Sequence, residues 1–144
     1  MLEYIWLSFS AWFMGFFPLF EIYLAIPGAM AMGLDMGSAV VWASLGNFLA
    51  IPIIVFFYDQ LSKVKRINKY FDKLSHSRFS HNIRKGSFMF VLIATPIVGA
   101  WAVAVLGKLF GMERGKLFFS SAISITLYGV LLGVLTEFGI NTFF

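Results

Sequence analysis

The group best suited to chemistry in this chain is a carboxylate in apolar surroundings. Glu21 stands in Phe17-Pro18-Leu19-Phe20-Glu21-Ile22-Tyr23-Leu24-Ala25-Ile26-Pro27-Gly28, between two prolines, and no lysine or arginine precedes position 63. An ionisable residue in sequence this apolar is costly, about 2.5–3.5 kcal/mol for Asp on insertion scales, and marks a functional site by default. Its carboxyl is suited to binding and releasing a proton or a cation in turn. It can also simply occupy the donor-rich start of a helix that Pro18 opens. Asn47, in Gly46-Asn47-Phe48-Leu49-Ala50-Ile51-Pro52, is a second polar group at membrane depth, fitted equally to an interhelical hydrogen bond or to a path lining. Thr95-Pro96 supplies a third feature, a good N-cap followed by a residue favoured in the first helical turn. The candidate binding residues are therefore Pro18, Glu21, Tyr23, Pro27 and Asn47, with Thr95, Pro96, Gly99 and Trp101. Tyr23 and Trp101 read first as packing.

Enzyme chemistry finds little material. There is no cysteine, and the two histidines, His76 and His81, fall in the polar loop. No nucleophile–base pair, metal-ligand cluster or phosphate loop is visible, so no enzyme, metal or cofactor is expected.

The elements that must carry these residues follow from composition. Of 144 residues, 60% are hydrophobic and 12% charged, more apolar surface than a soluble domain of this length can hide. Apolar runs at 4–34, 38–58, 86–112 and 117–136 are near or above spanning length. The expected class is an all-α integral membrane protein forming one domain, 1–144. The opening MLEYIWLSFS lacks the basic region of a signal peptide and reads as retained structure. All eleven Lys and Arg lie between Lys63 and Lys116, eight of them in the polar loop. The positive-inside rule then places 61–86 in the cytoplasm and both termini outside a plasma or inner membrane.

Sliding the sequence by 78 residues aligns Gly33-Leu34-Asp35-Met36-Gly37 with Gly111-Met112-Glu113-Arg114-Gly115, and Pro18 with Pro96. This points to a duplication, with repeat 1 over 1–60 and repeat 2 over 87–144. If 86–112 spanned once, Arg114 and Lys116 would emerge opposite the basic loop. A break at Thr95-Pro96 instead gives a re-entrant hairpin with arms 87–95 and 97–111. By analogy 4–17 and 19–34 form a hairpin from the other face, with 38–59 and 117–136 as full spans. Each repeat is thus a re-entrant helical hairpin plus a transmembrane helix, in the inverted arrangement of secondary transporters. The linker 61–86 carries Val64, Ile67, Phe71 and Leu74 at helical spacing between basic residues. It reads as an amphipathic helix whose Lys63, Lys65, Arg66 and Lys69 meet anionic inner-leaflet headgroups. Membrane adjacency accounts for this charge without nucleic acid.

Glu21-Ile22-Tyr23-Leu24-Ala25-Ile26-Pro27, Gly46-Asn47 with Pro52, and Pro96-Ile97-Val98-Gly99-Ala100-Trp101 together resemble the small multidrug export protein family. That family is similar to a compact form of the DedA superfamily of re-entrant-hairpin proteins. The resemblance implies export of drugs or movement of lipid carriers, with proton coupling, and carries the acidic motif position onto Glu21 and the second hairpin onto Pro96 and Gly99. Tyr23 stands where that pattern leads one to expect an arginine, which weighs against an anionic substrate. The expected function is a small transporter or flippase for amphipathic or lipid molecules, coupled through Glu21. An energy-independent lipid scramblase and an assembly factor without transport are the alternatives, and a homodimer is expected from the small enclosed volume.

Overall fold

The computed structural model describes residues 1–61, 63 and 87–143. Among them are five helices and no strand: α1 (Leu2–Phe16), α2 (Glu21–Ala31), α3 (Met36–Leu61), α4 (Ser87–Leu109) and α5 (Arg114–Phe143). Three of these, α3, α4 and α5, are long and apolar enough to cross a membrane. The protein is a multi-pass membrane protein. The 38–59 and 117–136 spans widen to α3 and α5.

Local chemistry explains where the helices stop. Proline disfavours helical backbone in the residue before it, and Phe17, ahead of Pro18, is extended at φ −75°, ψ 130°. A turn follows in which the N–H groups of Phe20 and Glu21 both donate to the Phe17 carbonyl, at 3.1 and 3.0 Å. Gly33 ends α2 at φ 102°. Its N–H donates to Met30 O and the Leu34 N–H to Ala29 O, each at 3.0 Å, the paired bonds of a Schellman cap. Asp35 then caps α3, its Oδ2 accepting the Ser38 N–H at 2.8 Å. That bond, helped by the Ser38 hydroxyl, holds the Asp35 carboxyl below the usual carboxylate range.

The same sequence of events recurs after α4. Gly111, at φ 73°, ends the helix, with Gly111 N–H to Lys108 O at 3.0 Å and Met112 N–H to Gly107 O at 2.9 Å. Each of these atoms stands 78 residues beyond its counterpart around Gly33. The helix ends Ala31 and Leu109 and the helix starts Met36 and Arg114 keep the same spacing. So do all the positive-φ residues among the described ones, which pair as Glu21 with Gly99 and Gly33 with Gly111.

Two expectations need correction. Neither Pro18 nor Pro96 opens a helix: α2 begins at Glu21, and Pro96 lies inside α4. Thr95 is no cap either, because its buried hydroxyl donates to Val91 O at 2.6 Å one turn back. The break in α4 comes at Gly99, with φ 87° and ψ 162°. A helix tolerates proline when another donor reaches the carbonyl that loses its N–H. Here that is Leu92 O, and the Ser124 hydroxyl donates to it at 3.0 Å. The backbone of Gly99 has φ and ψ in a region open essentially to glycine alone.

The helices form two compact units, Met1–Leu49 with Ile125–Phe144, and Ala50–Ser124. In the first unit α1 runs in the same direction as the first half of α3. Tyr4 Oη pairs with Ser38 Oγ at 3.1 Å near the start of both helices. Asn47 Nδ2 donates to Gly15 O at 3.0 Å near the far end of α1. Backbones meet between them: a Cβ on Gly46 would strike the Trp12 carbonyl oxygen, and one on Gly15 the Ala43 carbonyl oxygen. Ala11, Ala29, Leu34 and Ala39 form the small-residue core. The second half of α5 packs here through Gly129 and Gly133 on Val40. In the second unit Ile51, Val55, Val91, Val103, Ala104 and Leu117 are buried.

Candidate functional site

The most unusual residue of the first unit is Glu21. It is buried, 9% exposed, and holds φ 45°. For a residue with a Cβ the left-handed region costs about 1–2 kcal/mol, so the carboxylate occupies a position that backbone sterics would assign to glycine. Its neighbours Ile22, Ala25 and Ile26 are buried on the same helix. The Tyr23 phenol, half-buried, lies within electrostatic reach of the Glu21 carboxyl and of Tyr128. Glu21 and Tyr23 lie two residues apart on α2, while Pro18 sits exposed in the preceding turn and Pro27 inside α2.

Asn47 has a structural task. Its amide donates to Gly15 O, a carbonyl in the last turn of α1 that has no helical partner once the chain breaks before Pro18. Ser124 does the same for Leu92 in the second unit. Both bonds join residues 32 apart and stitch a helix next to a break onto the long helix that follows it. Sequence reading missed Ser124. Its available signal was the run of serines at 120, 121 and 124, all buried on α5.

The remaining candidates, Thr95, Pro96, Gly99 and Trp101, belong to the second unit, with Thr95 and Gly99 buried and Trp101 half-buried. That unit also holds an ion cluster that sequence reading did not assemble. Asp59 Oδ1 meets Lys108 Nζ at 2.8 Å and Asp59 Oδ2 meets Arg114 at 2.6 Å. Lys108 is nearly buried and its ammonium lies 5.7 Å from the Tyr58 ring centroid. The ends of α3 and α4 and the start of α5 are therefore held side by side. Lys63 is exposed, its ammonium donating to Gln60 Oε1 at 3.2 Å. Lys65, Arg66, Lys69, His76, His81 and the amphipathic helix lie outside the described residues. No group of three His, Cys, Asp or Glu is placed to hold a metal among the described residues.

Residues 21–131 match the family described as "Putative small multi-drug export protein". The match covers more than half of the chain, and the chain belongs to that family. No curated protein and no solved structure matches it.

Proposed function

We propose that this protein is a small membrane transporter that exports amphipathic molecules, with Glu21 binding and releasing the coupling proton or cation. The observation that carries this reading is a buried carboxylate held in left-handed backbone at the start of a short helix. Strained residues persist where the surrounding structure over-determines them, and they cluster at functional sites. A packing role alone asks for glycine at this position, as the other break has. Membership of an export family supports transport, and a titratable group in the route favours coupled movement over a passive lipid path.

The finer architecture belongs to the same reading. With 15 and 11 residues, α1 and α2 reach only about 22 and 16 Å, short of a hydrocarbon core of about 30 Å. They flank the first half of α3 and are read as a re-entrant hairpin. The ion pairs of Asp59 with Lys108 and Arg114 support a second hairpin, broken at Gly99, that enters and leaves on the cytoplasmic side. An inverted repeat resembling that of the DedA superfamily, and residence in the inner or plasma membrane, are part of this proposal.

Glu21→Gln keeps size and hydrogen-bonding capacity but not the titration. In proteoliposomes with an imposed pH gradient and ethidium as probe, it is expected to insert and melt like the parent while losing the gradient-driven flux. Flux with an unchanged dependence on the gradient would remove Glu21 from the mechanism.

A further inference from the structure

The first unit carries a ladder of exposed aromatic rings that leads to Glu21. Trp6 and Phe9 lie 6.3 Å apart between ring centroids, Phe9 and Phe13 6.4 Å, Phe13 and Phe17 5.9 Å, and Phe17 and Phe20 5.9 Å. Phe20 adjoins Glu21 in the chain. Every ring of the ladder is at least 37% exposed. At its other end is a groove of about 440 Å³ lined by Tyr4, Ile5, Ser8, Phe9, Trp12 and Trp42. The Trp42 Nε1 donates to Tyr4 Oη at 3.4 Å, which pairs with Ser38, whose N–H is held by the Asp35 carboxylate.

Lipid exposure alone does not account for this surface. The arm of α4 before Gly99 is equally exposed, with Met89 at 56%, Ile93 at 52% and Ile97 at 74%. Its groove, of about 470 Å³, is aliphatic apart from Phe90. Residues 2–20 hold eight aromatic side chains, whereas 87–98 hold two. Charge separates the units in the same way. The first contains Glu3, Glu21, Asp35 and Glu137 and no Lys, Arg or His, while every basic side chain belongs to the second. Ring faces carry negative potential and attract cations most strongly where water is excluded. A track of exposed aromatic rings in a unit whose charged side chains are all acidic, with a buried carboxylate beside one end, is complementary to a positive charge on an apolar body.

We infer that the α1 ladder is the substrate-binding surface of this transporter and that it takes lipophilic organic cations. The inference rests on the proposed role of Glu21 but is tested without it. The full-length protein in nanodiscs is titrated with tetraphenylphosphonium and with tetraphenylborate, which share a shape and differ in sign, following tryptophan fluorescence and equilibrium binding. Saturable binding of the phosphonium and none of the borate is expected. Phe13→Leu and Phe17→Leu, which keep apolar bulk but remove the ring, are expected to weaken phosphonium binding severalfold, and Phe90→Leu to leave it unchanged. Equal binding of both ions overturns the inference, since it shows an apolar surface only; so does phosphonium binding indifferent to both leucine variants. The comparison of the two ions on the unmutated protein stands even where a variant fails to fold. Ring-dependent phosphonium binding alongside normal gradient-driven flux in Glu21→Gln would leave the ladder in place and remove the carrier role.

Discussion

Glu21 and Gly99 occupy the same place in the 78-residue register, each at a backbone break with positive φ. One carries a buried carboxylate and the other no side chain at all. Around them the units differ in kind. The first unit carries the aromatic ladder and no basic side chain, and the second carries aliphatic residues, a run of buried serines and the ion pairs of Asp59 with Lys108 and Arg114. The turns that end α2 and α4, at Gly33 and Gly111, stay nearly identical down to their hydrogen bonds. Duplicated architecture thus retains the geometry that ends and restarts helices, while the side chains at the breaks diverge. Under the proposed function, the chemistry lies in the half that carries Glu21.

The largest effect expected from this comparison is topological. Under the inverted reading, residues at matching register positions emerge on opposite sides of the membrane. Gly37 and Gly115 are both exposed beside their caps, and no atom lies within 4 Å of a Cβ added at Gly115. Single Gly37→Cys and Gly115→Cys variants treated with an impermeant maleimide on intact cells should label at 37 alone. Labelling at both positions, or at neither, breaks the inverted reading and leaves a tandem one, whereas labelling at 115 alone keeps the inversion and reverses the orientation.

Next in size is the stitching of the long helices. Gly46 and Ser124 share a register position, yet the first holds a backbone contact and the second a hydroxyl bond. Gly46→Ala drives a methyl into the Trp12 carbonyl. Backbone on both sides leaves nothing to yield, so a loss of about 3 kcal/mol, the upper range for overpacking, is expected. Ser124→Ala removes only the bond to Leu92 O, and interhelical bonds in membranes average about 0.6 kcal/mol. Unfolding in mixed micelles measures both. A Gly46→Ala protein as stable as Ser124→Ala would mean that α1 and α3 are not in backbone contact.

These contrasts also mark how far sequence could be read. The turns at Gly33 and Gly111 were legible because glycine followed by an acid two residues on combines a helix stop with a cap, both local chemistry. The runs around α3 and α5 were legible from hydropathy. Pro96 was misread because its consequence is tertiary: whether a proline breaks a helix depends on a donor, Ser124, that lies 28 residues away. The pairing of Asp59 with Lys108 and Arg114 joins charges some fifty residues apart and has no local signature. Glu21 stood out by charge alone. That its backbone is left-handed could not be foreseen, since glutamate is among the residues least suited to it.

The last contrast separates strain from function at the two breaks. Glu21→Gly and Glu21→Ala both remove the carboxylate and differ only by a methyl, so their difference isolates backbone conformation. Glycine escapes the left-handed penalty of about 1–2 kcal/mol but loses about 0.4–1 kcal/mol through its freer unfolded chain. The glycine variant should therefore be the more stable of the two by about 0.5–1 kcal/mol. At the other break, Gly99→Ala forces a methyl into φ 87°, ψ 162°, at a cost of about 1–3 kcal/mol. Substitution toward glycine stabilises one break and substitution away from it destabilises the other. If Glu21→Gly is more stable yet exports no ethidium, the protein keeps an unfavourable backbone for the sake of a carboxylate. If Glu21→Gly is less stable than Glu21→Ala, the left-handed conformation is not a strain, and the reason for siting the carrier at position 21 goes with it.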